Sequence, residues 1–332
     1  MPEPRVGVII DTSALPGGLD ATAVCHLLAA DEGVAAVAAV CDVSLDAVRG
    51  FVESNHLDGL VVAGLDVEIV RRPLGELLRK SGRSPFSLRL VDIEWLCAHT
   101  QGREEATGKA FLLLLAAVAR VRRQRPIGQA NLRPRFGPSR GRVTRREMFS
   151  LATLRYDVVP AVDAELCAAW RGCALCVRAC PFAAVDMAAD SARIDKTRCR
   201  DCGLCLCACP TGAIRHPLYL AEALDAELSV LLRGRPAPYS RLVAFACRSA
   251  MLALRKADRG SSPWRDGILP MEVPCLGALG WFLPLRTFDL GGEAVALLGC
   301  SATCQYGFDP AAVEAPLAAT RRLLDAWAVG SE

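Results

Sequence analysis

The sequence predicts a mixed fold, α/β plus α+β, in which two α/β lobes with parallel sheets flank a small cysteine-rich domain. Three observations predict it. Short apolar strands alternate with amphipathic segments over residues 1–119, and the same alternation returns after Pro236. Between these stretches, nine of the sixteen cysteines fall in the 43 residues from Cys167 to Cys209, while the other seven are spread over 289.

In the first lobe, residues 1–119, strands are expected at Val6–Ile10, Val34–Val40, Gly59–Ala63 and Ser87–Val91. Helices are expected at Ala21–Ala30, Leu45–Glu53, Glu68–Lys80 and Glu104–Arg123. Residues 120–155 read as an irregular linker rich in Arg and Pro, and 156–216 as the cysteine domain. Residues 217–238 supply a connecting helix and linker. The last lobe, 239–332, should hold strand Arg241–Phe245, a helix to Ala257, strand Leu269–Val273, a short helix near Trp281, strand Ala294–Leu298 and helix Pro310–Val329. Neither lobe carries GxGxxG between strand and helix, nor GxxxxGK[ST], so no NAD, FAD or ATP site is expected. Gly17–Gly18 after the first strand reads as a turn.

The chain is 52% hydrophobic and 23% charged, which excludes a disordered chain and predicts sizeable cores. The longest clean apolar run, Ala110 to Ala119, is too short for a bilayer that needs about 20 residues. No charged segment followed by an apolar one opens the sequence, so a cytoplasmic location is expected. In such a reducing compartment, clustered cysteines read as metal ligands rather than disulfides. Net charge is +3, yet Arg120 to Arg146 holds ten arginines and no acid, leaving 3 − 10 = −7 elsewhere. With no nucleic-acid module beside it, this arm is expected to lie on an acidic surface, of a partner or of the chain itself. Nucleic acid is not an expected partner.

The run Cys199-x2-Cys202-x2-Cys205-x3-Cys209-Pro210 is C-x2-C-x2-C-x3-C-P, the bacterial ferredoxin spacing. Three thiolates on a tight loop wrap one cubane, and the fourth, before a helix-breaking proline, points to a different one. An upstream copy is irregular: Cys167-x5-Cys173-x2-Cys176-x3-Cys180-Pro181. Val162-Asp163-x3-Cys167 matches Ile194-Asp195-x3-Cys199 at an offset of 32, whereas Cys173, Cys176, Cys180 and Pro181 match Cys202, Cys205, Cys209 and Pro210 at 29. The halves are one repeat, with three residues inserted after the first cysteine of the first copy. Each half should be a strand, a cysteine loop and a short helix. Cys207 is surplus and reads as a small buried residue. Trp170 is expected to cover the metal site and exclude water. Arg171 and Arg178 read as a solvated face that is able to steer an acidic partner.

Over Val162 to Arg215 this resembles the two-cluster ferredoxin domain. The resemblance implies crossed ligation: one [4Fe-4S] cluster on Cys167, Cys173, Cys176 and Cys209, the other on Cys199, Cys202, Cys205 and Cys180. Zinc and the loss of the first cluster are the competing readings.

In the last lobe Cys247, Cys275 and the pair Cys300/Cys304 follow three strands. The C-terminal strand ends of a parallel sheet share one edge, so four thiolates should meet there, enough for a [2Fe-2S] cluster. The segment LVAFACRSAMLAL…EVPCLGALG…VALLGCSATCQYG resembles the iron–sulfur delta subunit of methyl-viologen-reducing hydrogenase. That family's resemblance implies a [2Fe-2S] cluster and electron transfer among a hydrogenase, a formate dehydrogenase and heterodisulfide reductase. Ala250 stands where the family has a cysteine. The first lobe is similar to the N-terminus of the flavin-bearing component of heterodisulfide reductase, with Cys41 and Cys97 at cysteine positions of that family. The remaining cysteines of that site are missing, so this lobe reads as structural. The four histidines, His26, His56, His99 and His216, read as surface or satisfied core residues. The expected function is electron transfer between redox partners: a hydrogenase, a formate dehydrogenase or a heterodisulfide-reductase-like enzyme. A cluster-bearing sensor or adaptor, and a thiol/disulfide oxidoreductase using the C-terminal cysteines, stay open.

Overall fold

Val6–Ile10 is a continuous apolar run and with Asp11 forms β1 (Val6–Asp11), every residue of it buried. Ala36–Val40 (β2), Gly59–Ala63 (β3) and Leu88–Val91 (β4) join it in a parallel sheet of order β2-β1-β3-β4. The computed structural model describes residues 3–16, 18–41, 43–64, 67–97, 100, 102–124, 131–135, 155–232, 241–257, 264, 268–280, 282–300, 304 and 311–326. His99, Gly17, Trp281 and most of the Arg-rich arm therefore lie outside the described residues.

Side chains alternate across β1. Val6, Val8 and Ile10 enter one core, and Ile9 enters the other with Val48, Leu60, Val62 and Leu78. The helices are α1 (Ala21–Ala29), α2 (Leu45–Ser54), α3 (Val67–Lys80), α4 (Ile93–Cys97) and α5 (Arg103–Arg122). Asp20 and Ser44 cap α1 and α2 by accepting from the backbone N–H of Ala23 and Ala47. After β3 the chain turns at Gly64, φ +92°, where an added Cβ would stand 2.7 Å from the Asp11 carbonyl oxygen. Gly64→Ala therefore costs about 1–3 kcal/mol, measurable as a fall in the urea midpoint.

Residues 125–218 form a separate compact unit. In it, Leu132–Arg135 (β5) pairs antiparallel with Arg155–Val158 (β6). So part of the arm expected to be irregular is a strand. The cysteine half-repeats follow: β7 (Ala161–Val162), α6 (Leu175–Ala179) and β8 (Val185–Met187), then β9 (Ala192–Ile194), α7 (Leu204–Ala208) and β10 (Ile214–Arg215).

The remaining elements are α8 (Ala221–Leu232), β11 (Leu242–Cys247), α9 (Arg248–Ala257), β12 (Ile268–Val273), α10 (Phe282–Asp289), β13 (Ala294–Leu298) and α11 (Ala311–Ala326). The strands form a parallel sheet of order β12-β11-β13.

The two α/β lobes are not independent. Residues 1–124 and 219–332 make one unit, and one core runs through both sheets, from Val8, Leu114 and Val118 to Leu228, Phe245 and Met271. Helix α5 makes this joint by packing against α8. It is buried nearly all round, as a helix between two layers must be. The charges on it are met internally. Lys109 Nζ donates to the Trp264 carbonyl at 2.7 Å. Arg120 pairs with Glu227 at 2.6 Å and donates to the Glu272 carbonyl at 3.0 Å. Arg120, where the expected helix Glu104–Arg123 overlaps the basic arm, thus belongs to the helix, and a carboxylate from α8 compensates it. Arg89 stands 3.5 Å from Glu227. Burial opposes ionisation of Glu272, but Arg89, Arg248, Arg71 and Arg120 together hold its carboxyl below the ordinary value.

Candidate metal centres

The half-repeats pair crosswise. Strand β7 of the first pairs antiparallel with β10 of the second, β8 pairs with β9, and α6 packs on α7. Each five-residue helix ends at a cysteine in extended backbone, Cys180 (φ −86°, ψ 106°) and Cys209 (φ −82°, ψ 110°). The prolines that follow impose this conformation, since a residue before proline is driven from the helical region. It carries each terminal cysteine out of its own loop.

Two cavities result. One, about 330 Å³ with its mouth, is lined by Cys199, Cys202 and Cys205 of the second half and Cys180 of the first, with Phe182 and Ile194. The other, about 310 Å³, is lined by Cys167, Cys173 and Cys176 of the first half and Cys209 of the second, with Leu175 and Thr211. The donor set suits an iron–sulfur cluster: four sulfurs apiece in a wall that is otherwise mainly apolar. Among the described residues, no three His, Cys, Asp or Glu side chains converge closely enough to hold a single metal ion. The sulfurs line cavities rather than one tight tetrahedral shell.

The three inserted residues let Cys167 reach the second cavity despite its odd spacing. They fall in a 3-10 turn, Ala168–Arg171, closed by Gly172 in the left-handed region. Trp170 on this turn is 70% exposed, with the Arg171 guanidinium 4.3 Å from its ring centre. It does not cover the site, because the short turn directs it outward. Cys207 is also exposed rather than buried, on the side of α7 opposite to Cys205.

The thiols differ electrostatically. Burial pushes Cys205 far up, helped by the neighbouring Cys202, Cys199 and Cys180. Burial likewise raises Cys199 and Cys176. Burial opposes ionisation at Cys209 as well, but the Thr211 hydroxyl and the backbone N–H groups of Ile214, Thr211 and Ala213 hold its thiol below the ordinary value. Ala184 N–H donates to Cys180 Sγ at 3.3 Å, and Ala192 N–H to Cys167 Sγ at 3.4 Å.

Three contributors near the sites are not singled out as site residues by the sequence reading. Arg133 on β5 donates to the carbonyls of Lys196, at 3.2 Å, and Cys199. Asp201, between Cys199 and Cys202, has left-handed backbone, φ +59°. His216 is 1% exposed, with Nε2 2.9 Å from Asp201 Oδ1. It is a satisfied core histidine, as expected.

On the second sheet, Cys247 ends β11, Cys275 follows β12 and Cys300 follows β13, all at the C-terminal edge. The thiols interact there: Cys275 with Cys304 and Cys247, and Cys300 with Cys304 and Cys247. Burial, then hydrogen bonding with Cys304, raises Cys300 to about 12. Ala250 N–H donates to Cys247 Sγ at 3.4 Å, so the position lacking a cysteine still faces the site through its backbone. In the first lobe Cys41 is exposed, 3.5 Å from the Thr12 hydroxyl, whereas Cys97 is buried and its thiol pushed up to about 12 by that burial. They make no set like the others.

Residues 192–215 match the family described as 4Fe-4S binding domain. The match covers β9, the second cysteine loop and β10. The chain thus contains an iron–sulfur, ferredoxin-like domain with at least one 4Fe-4S site and an electron-transfer role. No curated protein matches the chain. Among the described residues, no helix is long and apolar enough to cross a membrane.

Proposed function

We propose that the protein is an electron-transfer subunit with two [4Fe-4S] clusters in the ferredoxin-like unit and a [2Fe-2S] cluster on the second sheet. The observation that carries this reading is the crossed lining of the two cavities, three cysteines from one half-repeat and the fourth from the other in each. Cys167, Cys173, Cys176 and Cys209 hold one cluster, and Cys199, Cys202, Cys205 and Cys180 the other. Cys247, Cys275, Cys300 and Cys304 hold the third centre. A bound cluster supplies one-electron chemistry. The protein supplies the thiolates, an apolar wall that limits water, and backbone donors to the sulfurs. The resemblances carried by the two α/β lobes support a complex with a hydrogenase, a formate dehydrogenase or a heterodisulfide-reductase-like enzyme, in the cytoplasm.

Anaerobic purification with iron and sulfide analysis tests this. About eight irons per chain correspond to the ferredoxin-like unit, and about ten add the third centre. Cys275→Ser is expected to remove about two irons and only the [2Fe-2S] EPR signal. An unchanged spectrum would sink the third centre.

A further inference from the structure

The repeat is symmetric in its cysteines and asymmetric around them. At the offset of 29 that aligns the later cysteines, Asp201 corresponds to Gly172. Both positions are left-handed, φ +59° and +76°. Glycine adopts this conformation freely, whereas a residue with a Cβ is strained in it. Asp201 is held there by its neighbours. The ring nitrogen Nδ1 of His216 accepts from Leu218 N–H at 3.2 Å, which leaves the ring proton on Nε2. Nε2 then faces Asp201 Oδ1 at 2.9 Å, with the Val158 carbonyl at 3.3 Å. The fixed Asp201 carboxylate acts on Cys199, while its backbone N–H faces the same thiol. No side chain at Gly172 does the like for the other set.

A second asymmetry runs the same way. Thr211 corresponds to Phe182. The Thr211 hydroxyl lies 3.6 Å from Cys209 Sγ, whereas Phe182 places an aromatic ring in the wall of the other cavity. Burial follows suit: Cys199, Cys202 and Cys205 are all buried, but of the other set only Cys176 is.

We infer that the two cysteine sets are built for unequal reduction potentials, lower at Cys180–Cys199–Cys202–Cys205 and higher at Cys167–Cys173–Cys176–Cys209, with Asp201, Thr211 and the positioning residue His216 separating them. The inference rests on the two-cluster reading above. Reduction adds negative charge. A neighbouring carboxylate and a drier wall disfavour that addition, and hydrogen-bond donors to sulfur favour it. The Asp201 backbone N–H and, less, Arg133 near Cys199 act in the opposite sense to the Asp201 carboxylate; Asp201→Asn keeps both and removes the carboxylate alone. The consequence is a direction: an electron on the Cys180–Cys199–Cys202–Cys205 set runs downhill to the Cys167–Cys173–Cys176–Cys209 set.

Potentiometric EPR titration of the full chain, purified anaerobically, tests this. Wild type gives two one-electron [4Fe-4S] midpoints, distinguished by their spectra from that of the [2Fe-2S] centre, and Cys205→Ser removes the lower. Asp201→Asn raises the lower midpoint enough to change the split between the sets about tenfold, about 59 mV for a one-electron couple. Thr211→Val lowers the upper midpoint. His216→Gln, which still donates to Asp201, leaves both in place, whereas His216→Leu moves the lower one up. Eight or ten irons per chain with equal wild-type [4Fe-4S] midpoints, or with a lower midpoint indifferent to Asp201→Asn, overturns the inference alone. Four irons and a single centre overturn the two-cluster reading with it.

Discussion

Replacing Glu227 with alanine lowers stability by about 3–5 kcal/mol, read as a fall in the chemical or thermal denaturation midpoint. The magnitude follows from burial. The side chains of Arg120 and Glu227 are 1% and 7% exposed, and they meet at 2.6 Å. Removing the carboxylate leaves the Arg120 charge in the joint between α5 and α8, where the Glu272 carbonyl accepts from it at 3.0 Å and the Glu272 carboxylate is shared with Arg89, Arg248 and Arg71. It also takes the 3.5 Å counter-charge from Arg89. The penalty is that of a buried charge left short of its direct partner and not the net worth of the pair. Accordingly, the double variant Arg120→Met with Glu227→Leu recovers the share of the loss that belongs to Arg120. A deficit below about 1 kcal/mol in Glu227→Ala would mean that water reaches the joint.

Cys205→Ser has the largest effect on the metal content, a loss of about four irons per chain and of one [4Fe-4S] signal. Cys205 sits on α7, buried, among Cys202, Cys199 and Cys180. Such a thiol is costly to ionise without a cation, so it is a ligand or it is neutral. Cys207 is two residues away on the exposed side of the same helix, and Cys207→Ser keeps the full iron content. The pair isolates ligation from general damage to α7. Full iron content and both signals in Cys205→Ser would remove Cys205 from the ligand set. Loss of metal also lowers stability, because four sulfurs fixed around a metal centre contribute their binding energy to folding.

The strands were the most legible part of the fold. Gly59–Ala63 and Ala294–Leu298 have the bounds read from the sequence, and β1 differs from its expected span by a single residue. These are short apolar runs that local pattern identifies without tertiary help. The cysteine grouping was legible for a related reason, since ligand spacing is local. The C-terminal grouping needed one further rule, that parallel strands end on a shared edge. What the pattern concealed depends on contacts distant in sequence. Arg120 falls where the expected helix Glu104–Arg123 overlaps the basic arm, and only Glu227, on another helix, shows it to be core. The union of the two lobes in one core could not be read from either alone. Trp170 and Cys207 were misplaced because hydrophobicity predicts burial only on average, whereas a four-residue turn and a five-residue helix have room for few inward side chains. Asp201 left a trace, an acid where the repeat has glycine, but its partner His216 declares itself only in three dimensions.

The pairing of β7 with β10 has a consequence for how the protein is made. It ties together the two ends of the cysteine-rich segment. That segment interrupts a body whose helices α5 and α8 must meet across it. While it is unfolded, α5 and α8 are joined by a long slack loop, and bringing them together carries the closure entropy of that loop. Once β7 and β10 are clamped, the slack is cut a little more than twofold, which relieves roughly 0.8 kcal/mol. Metal loading early in biogenesis would then act at a distance, as a chaperone-like staple, biasing the interrupted body toward assembly before any electron has moved.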